Sequence, residues 1–577
     1  MRLPLFFLMS LLFFVPTVSN AADQNGYAAQ YECRAGNPNC DVDVTSLALQ
    51  PCQQIVSAST SWSNINWSNN VICLEAGDHT VKGVLTLQSS GSGATRKVLR
   101  YYRSSDNNDD PWNQSSQAKL YALDINGADY WIVHRITIDP NKTGNTIGIY
   151  LSPGSAYNIF NRVLVQRTVS EAVSFDGGAD LSATTNNSFQ NSVIRNTKTS
   201  TGAYEAQCFS SGNTSNTRFV NNEAYDCNKV SHVHGPSLVP GFVVENNDMY
   251  VSSEGRTDCH GNYTPTGTCS IMEALMSWKG GATSASPAKI IHNRMWGTRW
   301  SDGNLIQAGD SMAISLSAQD INGGPATTPG ADYVLVQNNI IFDSEIGIHN
   351  YWDGPNNNSI IGNIFYDIRD RNPGFGEETG AIRLWRVKSS EVYLNTMIET
   401  YPWLDLSGGA TNNDVRCNVQ IASGSMVGNP NDGALANNAY FGTTRLNDSS
   451  NAESSLRTRA SSTTYSVGEI IRFGPASACT VSSASACFLY RVAGAGTSAA
   501  TETPGYCTQL GCTTVDGGIQ VQAIRGPYTF NRKLRTGAEQ FVIPYARVYS
   551  AASEAYKCPS DTGLRPNIGI NDVPLGQ

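Results

Sequence analysis

Between residues 130 and 420 the sequence repeats one short unit: an apolar run, a polar residue, then a second apolar run. Tyr-Trp-Ile-Val-His-Arg-Ile-Thr-Ile at 130–138 lies over Tyr-Asn-Ile-Phe-Asn-Arg-Val-Leu-Val at 157–165. The polar position runs His134, Asn161, Asn191, Asn222, Asn247, Asn293, Asn339, Asn363, Asn395 and Asn418, at spacings of 27, 30, 31, 25, 46, 46, 24, 32 and 23. Asparagine accepts tight bends, and its amide can hydrogen-bond to the same residue one repeat further on. Short strands at such a period must stack on their neighbours to bury an inner face. The pattern therefore predicts an all-β chain with a parallel β-solenoid over residues 71–425 and an asparagine ladder along it. No long apolar run with a 3.6-residue period interrupts that stretch. A leucine-rich repeat would need a consensus that is absent. His134, in a ladder position, is expected to be structural.

The flanks are read from local signals. Residues 1–21 have the form of a signal peptide: Arg2, an apolar run from Leu5 to Val15, then Ser19-Asn20-Ala21. Export is expected, and the fourteen cysteines that follow suit disulfides in an oxidising compartment. The proposed local pairs are Cys33 with Cys40, Cys259 with Cys269, Cys479 with Cys487, and Cys507 with Cys512. Apolar runs are too short to span a bilayer, so no membrane span is expected. Residues 22–70 are assigned to an N-terminal cap on the open sheet edge and 426–463 to a loop-rich linker. Residues 464–523 read as a small disulfide-pinned β module and 524–577 as a C-terminal cap segment. The protein is expected to act as a monomer.

Two consecutive spacings of 46 place about 20 extra residues in each of two coils, near 251–271 and 300–332. Insertions in a solenoid gather on one face and commonly build its groove. Between them runs Glu273-Ala-Leu-Met-Ser-Trp-Lys279, where alternation points Met276 and Trp278 inward and Glu273, Leu275, Ser277 and Lys279 outward. Stacking the equivalent strands gives one outward column of His234, Lys279, Ser317 and Tyr351. A second holds His232, Ser277, Ser315, His349 and Arg383. This strip is cationic and hydroxylic, although the chain carries a net charge of −9. That balance excludes a nucleic-acid partner, while the strip suits an acidic polysaccharide. The matching chemistry is β-elimination across a uronic acid: a cation neutralises the carboxylate, a base takes the C5 proton, and an acid protonates the departing O4. Lys279 is the candidate base, provided neighbouring cations and burial bring its pKa toward working pH. His234 and Tyr351 are the competing proton carriers, and Arg299, Arg294 and Arg383 are candidates to hold carboxylates. His232 and His349 line the strip, and Trp300 and Trp385 could stack on sugar rings, although aromatic residues also fill coil interiors.

The repeat resembles that of right-handed parallel β-helix proteins of the pectate-lyase type, over about residues 70–425. Lys279 and Arg299 resemble the Lys and Arg that the chondroitinase B and alginate lyase family draws from successive coils. That resemblance implies a polysaccharide lyase and calcium-binding carboxylates. Here the family's closely spaced acidic pair is reduced to Glu273, about 20 Å of extended chain from Lys279, which leaves calcium a candidate cofactor and the metal ligands unassigned. The rival readings are a glycoside hydrolase, a C5-epimerase and a non-catalytic carbohydrate-binding solenoid. Hydrolysis by inversion wants two carboxylates about 6.5–9.5 Å apart, and the Asn-Thr-Asp, paired-Asp and Arg-Ile-Lys signatures of β-helix hydrolases are missing. A binding solenoid would spread its polar face over all coils, whereas the basic residues here gather on the central ones.

Overall fold

The structure is a computed structural model. It describes residues 50–102, 117–141, 147–178, 184–195, 207–227, 229–234, 239–252, 274–298, 312–317, 330–369, 379–416, 418–423, parts of 426–454, and 456–548 apart from short gaps. The leader, both expected pairs Cys33–Cys40 and Cys259–Cys269, and the two insertions fall largely or wholly outside these residues.

Three parallel sheets run the length of the repeat region: two of fourteen strands and one of twelve. One coil shows how the sequence makes them. Ile159–Asn161 enters sheet 1, Leu164–Gln166 enters sheet 2, Glu171–Asp176 enters sheet 3, and Ser188–Gln190 returns to sheet 1. The strands wind as a right-handed parallel β-helix, the hand expected when parallel neighbours are joined by a crossover. Nine successive coils turn from sheet 1 to sheet 2 on a single left-handed residue: Arg135, Arg162, Asn191, Asn221, Asn246, His292, Asn338, Gly362 and Leu394. Such a residue bends the chain sharply without ending the stack. Phe160, Phe175, Phe189, Phe209 and Phe219 fill the interior of the early coils, and Trp278, Leu316, Phe365 and Leu384 fill later ones.

The ladder is present and has a different register at its start. From Asn222 to Asn395 each ladder asparagine follows the left-handed residue. Asn247 Oδ1 accepts from the Asn222 backbone at 2.8 Å and from its amide at 3.1 Å, and Asn293, Asn339, Asn363, Asn395 and Asn418 repeat the pattern. Below Asn222 the ladder position belongs to Ser192, whose N–H reaches Asn222 Oδ1 at 3.0 Å. His134, Asn161 and Asn191 belong to a second, adjacent ladder that continues through Asn221 and Asn246, with side-chain contacts of 2.6–3.0 Å. Asparagine suits both positions, so spacing alone merged them.

The solenoid is also longer than its expected bounds. Gln54–Val56 already pairs with Val71–Leu74, and Cys52–Cys73 ties this first strand down. At the other end Val427–Gly428, Gly433–Ala436, Ala439–Phe441 and Ala452–Ser454 extend the three sheets into the segment assigned to a linker.

A six-stranded sheet follows, drawn from Leu456 to Val548. One of its strands, Ile519–Asn531, crosses the expected division between 523 and 524. The Cys479–Cys487 and Cys507–Cys512 pairs form as expected, and Cys208–Cys227 ties the strand Gln207–Gly212 to the turn after Glu223–Tyr225. The module lies on the outer face of sheet 2, along the side of the solenoid. Tyr225, Tyr250, Trp296 and Phe342 stack coil on coil there, at ring separations of 4.8, 4.4 and 5.5 Å, and Phe530 and Phe541 pack onto Trp296 at 6.0 and 5.0 Å. Arg472 adds an ion pair with Glu399 at 3.1 Å. Among the described residues no helix is long and apolar enough to cross a membrane.

Candidate active site

The outer face of sheet 3 carries the strip. Its central strands are Lys229–His234, Ala274–Trp278, Met312–Ser317, Ile346–Pro355, Gly380–Lys388 and Leu404–Leu406. His232 pairs with Ser277, Ser277 with Ser315, Ser315 with His349, His349 with Arg383, and Arg383 with Asp405. In the next column Ser317 pairs with Tyr351 and Tyr351 with Trp385. The Lys279 N–H donates to Val233 O at 2.8 Å, which continues the pairing and sets Lys279 beside His234. Neighbouring positions in a column lie about 4.8 Å apart, so Lys279 and Tyr351 stand about 10 Å apart across Ser317. One assignment from alternation changes: Leu275 joins Met276 and Trp278 in the interior cluster.

The two columns differ in exposure. Tyr351 is 42% exposed, and Lys279 is half-buried. Ser277, Ser315, His232 and His349 are buried, and Arg383 is almost sealed at 2%. Arg383 Nε donates to Asp405 Oδ2 at 2.9 Å, and its Nη1 lies 3.3 Å from His349 Nε2. Burial and the Arg383 cation push His349 down to about 3. Burial also lowers Arg383, and the Asp405 carboxylate opposes that shift. Asp405 was missed as a site residue. The signal was its place in Leu404-Asp-Leu406, where alternation turns the carboxylate outward one coil above Arg383.

Trp385 stacks on Tyr351 with ring centroids 4.7 Å apart and planes 5° from parallel, and the Arg386 guanidinium lies 4.4 Å from its ring centroid. One coil on, Gly408 sits at φ 70°, where a Cβ would come within 2.1 Å of the indole Nε1. Trp385 is thus seated between its neighbours and supports Tyr351, which leaves Tyr351 as the exposed ring. Gly408→Ala is expected to unseat the indole and to destabilise the protein by about 1–3 kcal/mol through overpacking. A lower unfolding midpoint with altered tryptophan fluorescence would show it, and an unchanged midpoint would mean the indole moves aside freely.

The structure does not bring every expected residue to this face. Arg294 belongs to sheet 2. It is 7% exposed and doubly bonded to Asp248 at 2.6 and 2.7 Å, and the Phe530 ring covers it at 4.4 Å. A buried Arg so paired is committed to the module interface. Arg299, Trp300 and Glu273 lie outside the described residues, as does the side chain of His234. Among the described residues no three His, Cys, Asp or Glu side chains gather as a metal site. No step below runs through calcium.

By sequence the chain matches no protein family and no curated relative. The solved structures it resembles include a mannuronic acid-specific polysaccharide family 6 lyase from human gut microbiota, at 9% identity over 68% of this chain and 87% of that one, TM-score 0.42. The A-module of the mannuronan C-5 epimerase AlgE6 from Azotobacter vinelandii matches at 11% identity over 67% and 89%, TM-score 0.37. The catalytic unit of a GH87 α-1,3-glucanase from Streptomyces thermodiastaticus strain HF3-3 matches at 13% over 74% and 70%, TM-score 0.33. The chemistry of this chain has to be argued from its own side chains.

Proposed function

We propose that the protein is a secreted lyase that cleaves a uronic-acid-containing polysaccharide by β-elimination. The observation that carries this reading is the column Lys279, Ser317, Tyr351 on the outer face of sheet 3. A small residue between an amine and a phenol leaves a gap about two coils high, open to a sugar ring. In the proposed step Lys279 takes the C5 proton, the C–H electrons become the C4=C5 double bond, the C4–O4 bond breaks, and Tyr351 supplies the proton to O4. Arg383 is tied to Asp405 and His349 and Arg294 to Asp248 on sheet 2, so of the three arginines expected from the sequence to hold carboxylates this role is assigned to Arg299. Asp405 is likewise engaged by Arg383, which argues against a pair of free carboxylates for hydrolysis.

The test is to incubate the mature protein with alginate, polygalacturonate and glycosaminoglycans, with and without calcium, following ultraviolet absorbance of the new double bond and reducing ends. Both signals should rise together on at least one polymer. Reducing ends without absorbance would make it a hydrolase. Silence on both with a change in uronate configuration by NMR would make it an epimerase, which shares the first proton abstraction, and complete silence would favour a binding solenoid.

A further inference from the structure

His349 stands on the outer face of sheet 3 beside Tyr351, with ring centroids 5.5 Å apart, and an outward histidine there invites the role of base. Its contacts point elsewhere. Arg383 Nη1 lies 3.3 Å from His349 Nε2, and a guanidinium has only donors to offer. Nε2 must therefore accept, and an imidazole that accepts at Nε2 carries its proton on Nδ1. A second proton would have to enter at Nε2, against the guanidinium and with little water present: Asp405, Arg383 and His349 are 6%, 2% and 8% exposed. Burial and Arg383 together hold the ring far below its ordinary titration range. The Asp405 bond to Arg383 Nε, at 2.9 Å, fixes the plane of the fork so that Nη1 stays aimed at the ring.

We infer that Asp405 and Arg383 lock His349 as a neutral imidazole with its proton on Nδ1, a fixed hydrogen-bond donor on the outer face of sheet 3 that takes no part in proton transfer. Asp405 and Arg383 are positioning residues in this account. Among the described residues, the charged or titratable groups facing the ring are Arg383 and Asp405 from the coils above and Tyr351 on its own strand; Ser315 faces it from the coil below. Lys279 stands two coils below in the neighbouring column. An ordinary histidine titrates near 6.5 and would change charge over the pH range in which a secreted enzyme works. A locked neutral ring presents the same donor throughout, so an anionic substrate meets an unchanging contact there. That last clause rests on the lyase reading; the protonation state does not.

The experiment is a pH titration of the full chain carrying isotopically labelled histidine, followed by NMR. The chain has seven histidines, and the spectrum of His349→Asn identifies the signal that belongs to His349. Between about pH 5 and 8 that signal should keep the shifts of the neutral Nδ1–H tautomer and show no midpoint. A midpoint near 6.5, or the Nε2–H tautomer, would overturn the inference. Arg383→Gln removes the cation, the smaller of the two causes that depress the ring, and leaves its burial, so the ring should titrate higher than in wild type and the Nε2–H tautomer should appear; an unchanged spectrum would take the lock away from Arg383. Should Arg383→Gln fold poorly, Arg383→Lys keeps a charge but loses the planar fork, and a mixture of tautomers is expected; a wild-type spectrum would again overturn the assignment. On a substrate found as above, the pH profile of kcat/KM for Arg383→Gln should gain an acid limb at the NMR midpoint. An intact NMR signature in a protein inactive on every polymer would defeat the lyase reading and leave this inference standing.

Discussion

Lys279→Ala should lower kcat by about 10²–10⁴-fold on whichever polymer the wild type degrades, the range expected for losing a positioned proton carrier. The loss should fall on kcat more than on KM, because the amine acts where charge moves and one side chain adds little to binding spread along several coils. Tyr351→Phe is the companion measurement. It removes one oxygen and keeps the ring that stacks on Trp385 at 4.7 Å, so the local packing survives. A drop in kcat of the same order would place the phenol in the chemistry. A rise in KM alone would make Tyr351 a platform for the sugar and leave O4 to be protonated by another group. Should Lys279→Ala and Tyr351→Phe both retain full activity, the column on sheet 3 is not where the reaction occurs.

The β-helix was legible because its signal is cumulative: ten polar positions between apolar runs leave little else for the chain to do. The pairing of His232, Ser277, Ser315, His349 and Arg383 was legible for a related reason. Once the coil is granted, alternation and a constant strand spacing fix which side chains share a face. Arg294 shows where the reading stopped short. Glu223, Asp248 and Arg294 each follow a ladder asparagine directly, so all three occupy one position on sheet 2, and Asp248 pairs with Arg294. That relation was available from the asparagine register and would have separated Arg294 from Lys279. The module was not legible in the same way. Phe530 and Phe541 meet Trp296 and Phe342 across 188 to 245 residues of chain, and no periodicity links one sheet's outer face to another's. The exposed face of a solenoid looks the same in sequence whether a sugar or a second sheet covers it.

Asn339→Ala should cost about 2–6 kcal/mol, more than any surface change. The side chain is fully buried. Its Oδ1 accepts from the Asn293 N–H at 2.9 Å, and its Nδ2 donates to Ile290 O at 2.8 Å and to Asn363 Oδ1 at 3.0 Å. Alanine strands a backbone donor and a backbone carbonyl in an interior that water cannot readily reach, at about 1–3 kcal/mol each. Asn191→Gly is the control: it breaks the outer ladder at a half-buried corner and keeps the left-handed bend that glycine adopts freely, so it should cost less than half as much. Because coils contact mainly their neighbours, the damage should stay local. Hydrogen exchange should quicken in the coils around residues 288–296, 334–344 and 359–368 and stay as in wild type around 131–138. The same coils hold Met312–Ser317 and Ile346–Pro355 in register, so Asn339→Ala should also lose activity without touching the groove. An unfolding free energy within about 1 kcal/mol of wild type, with activity intact, would show that strand pairing alone sets the register and that the ladder is dispensable.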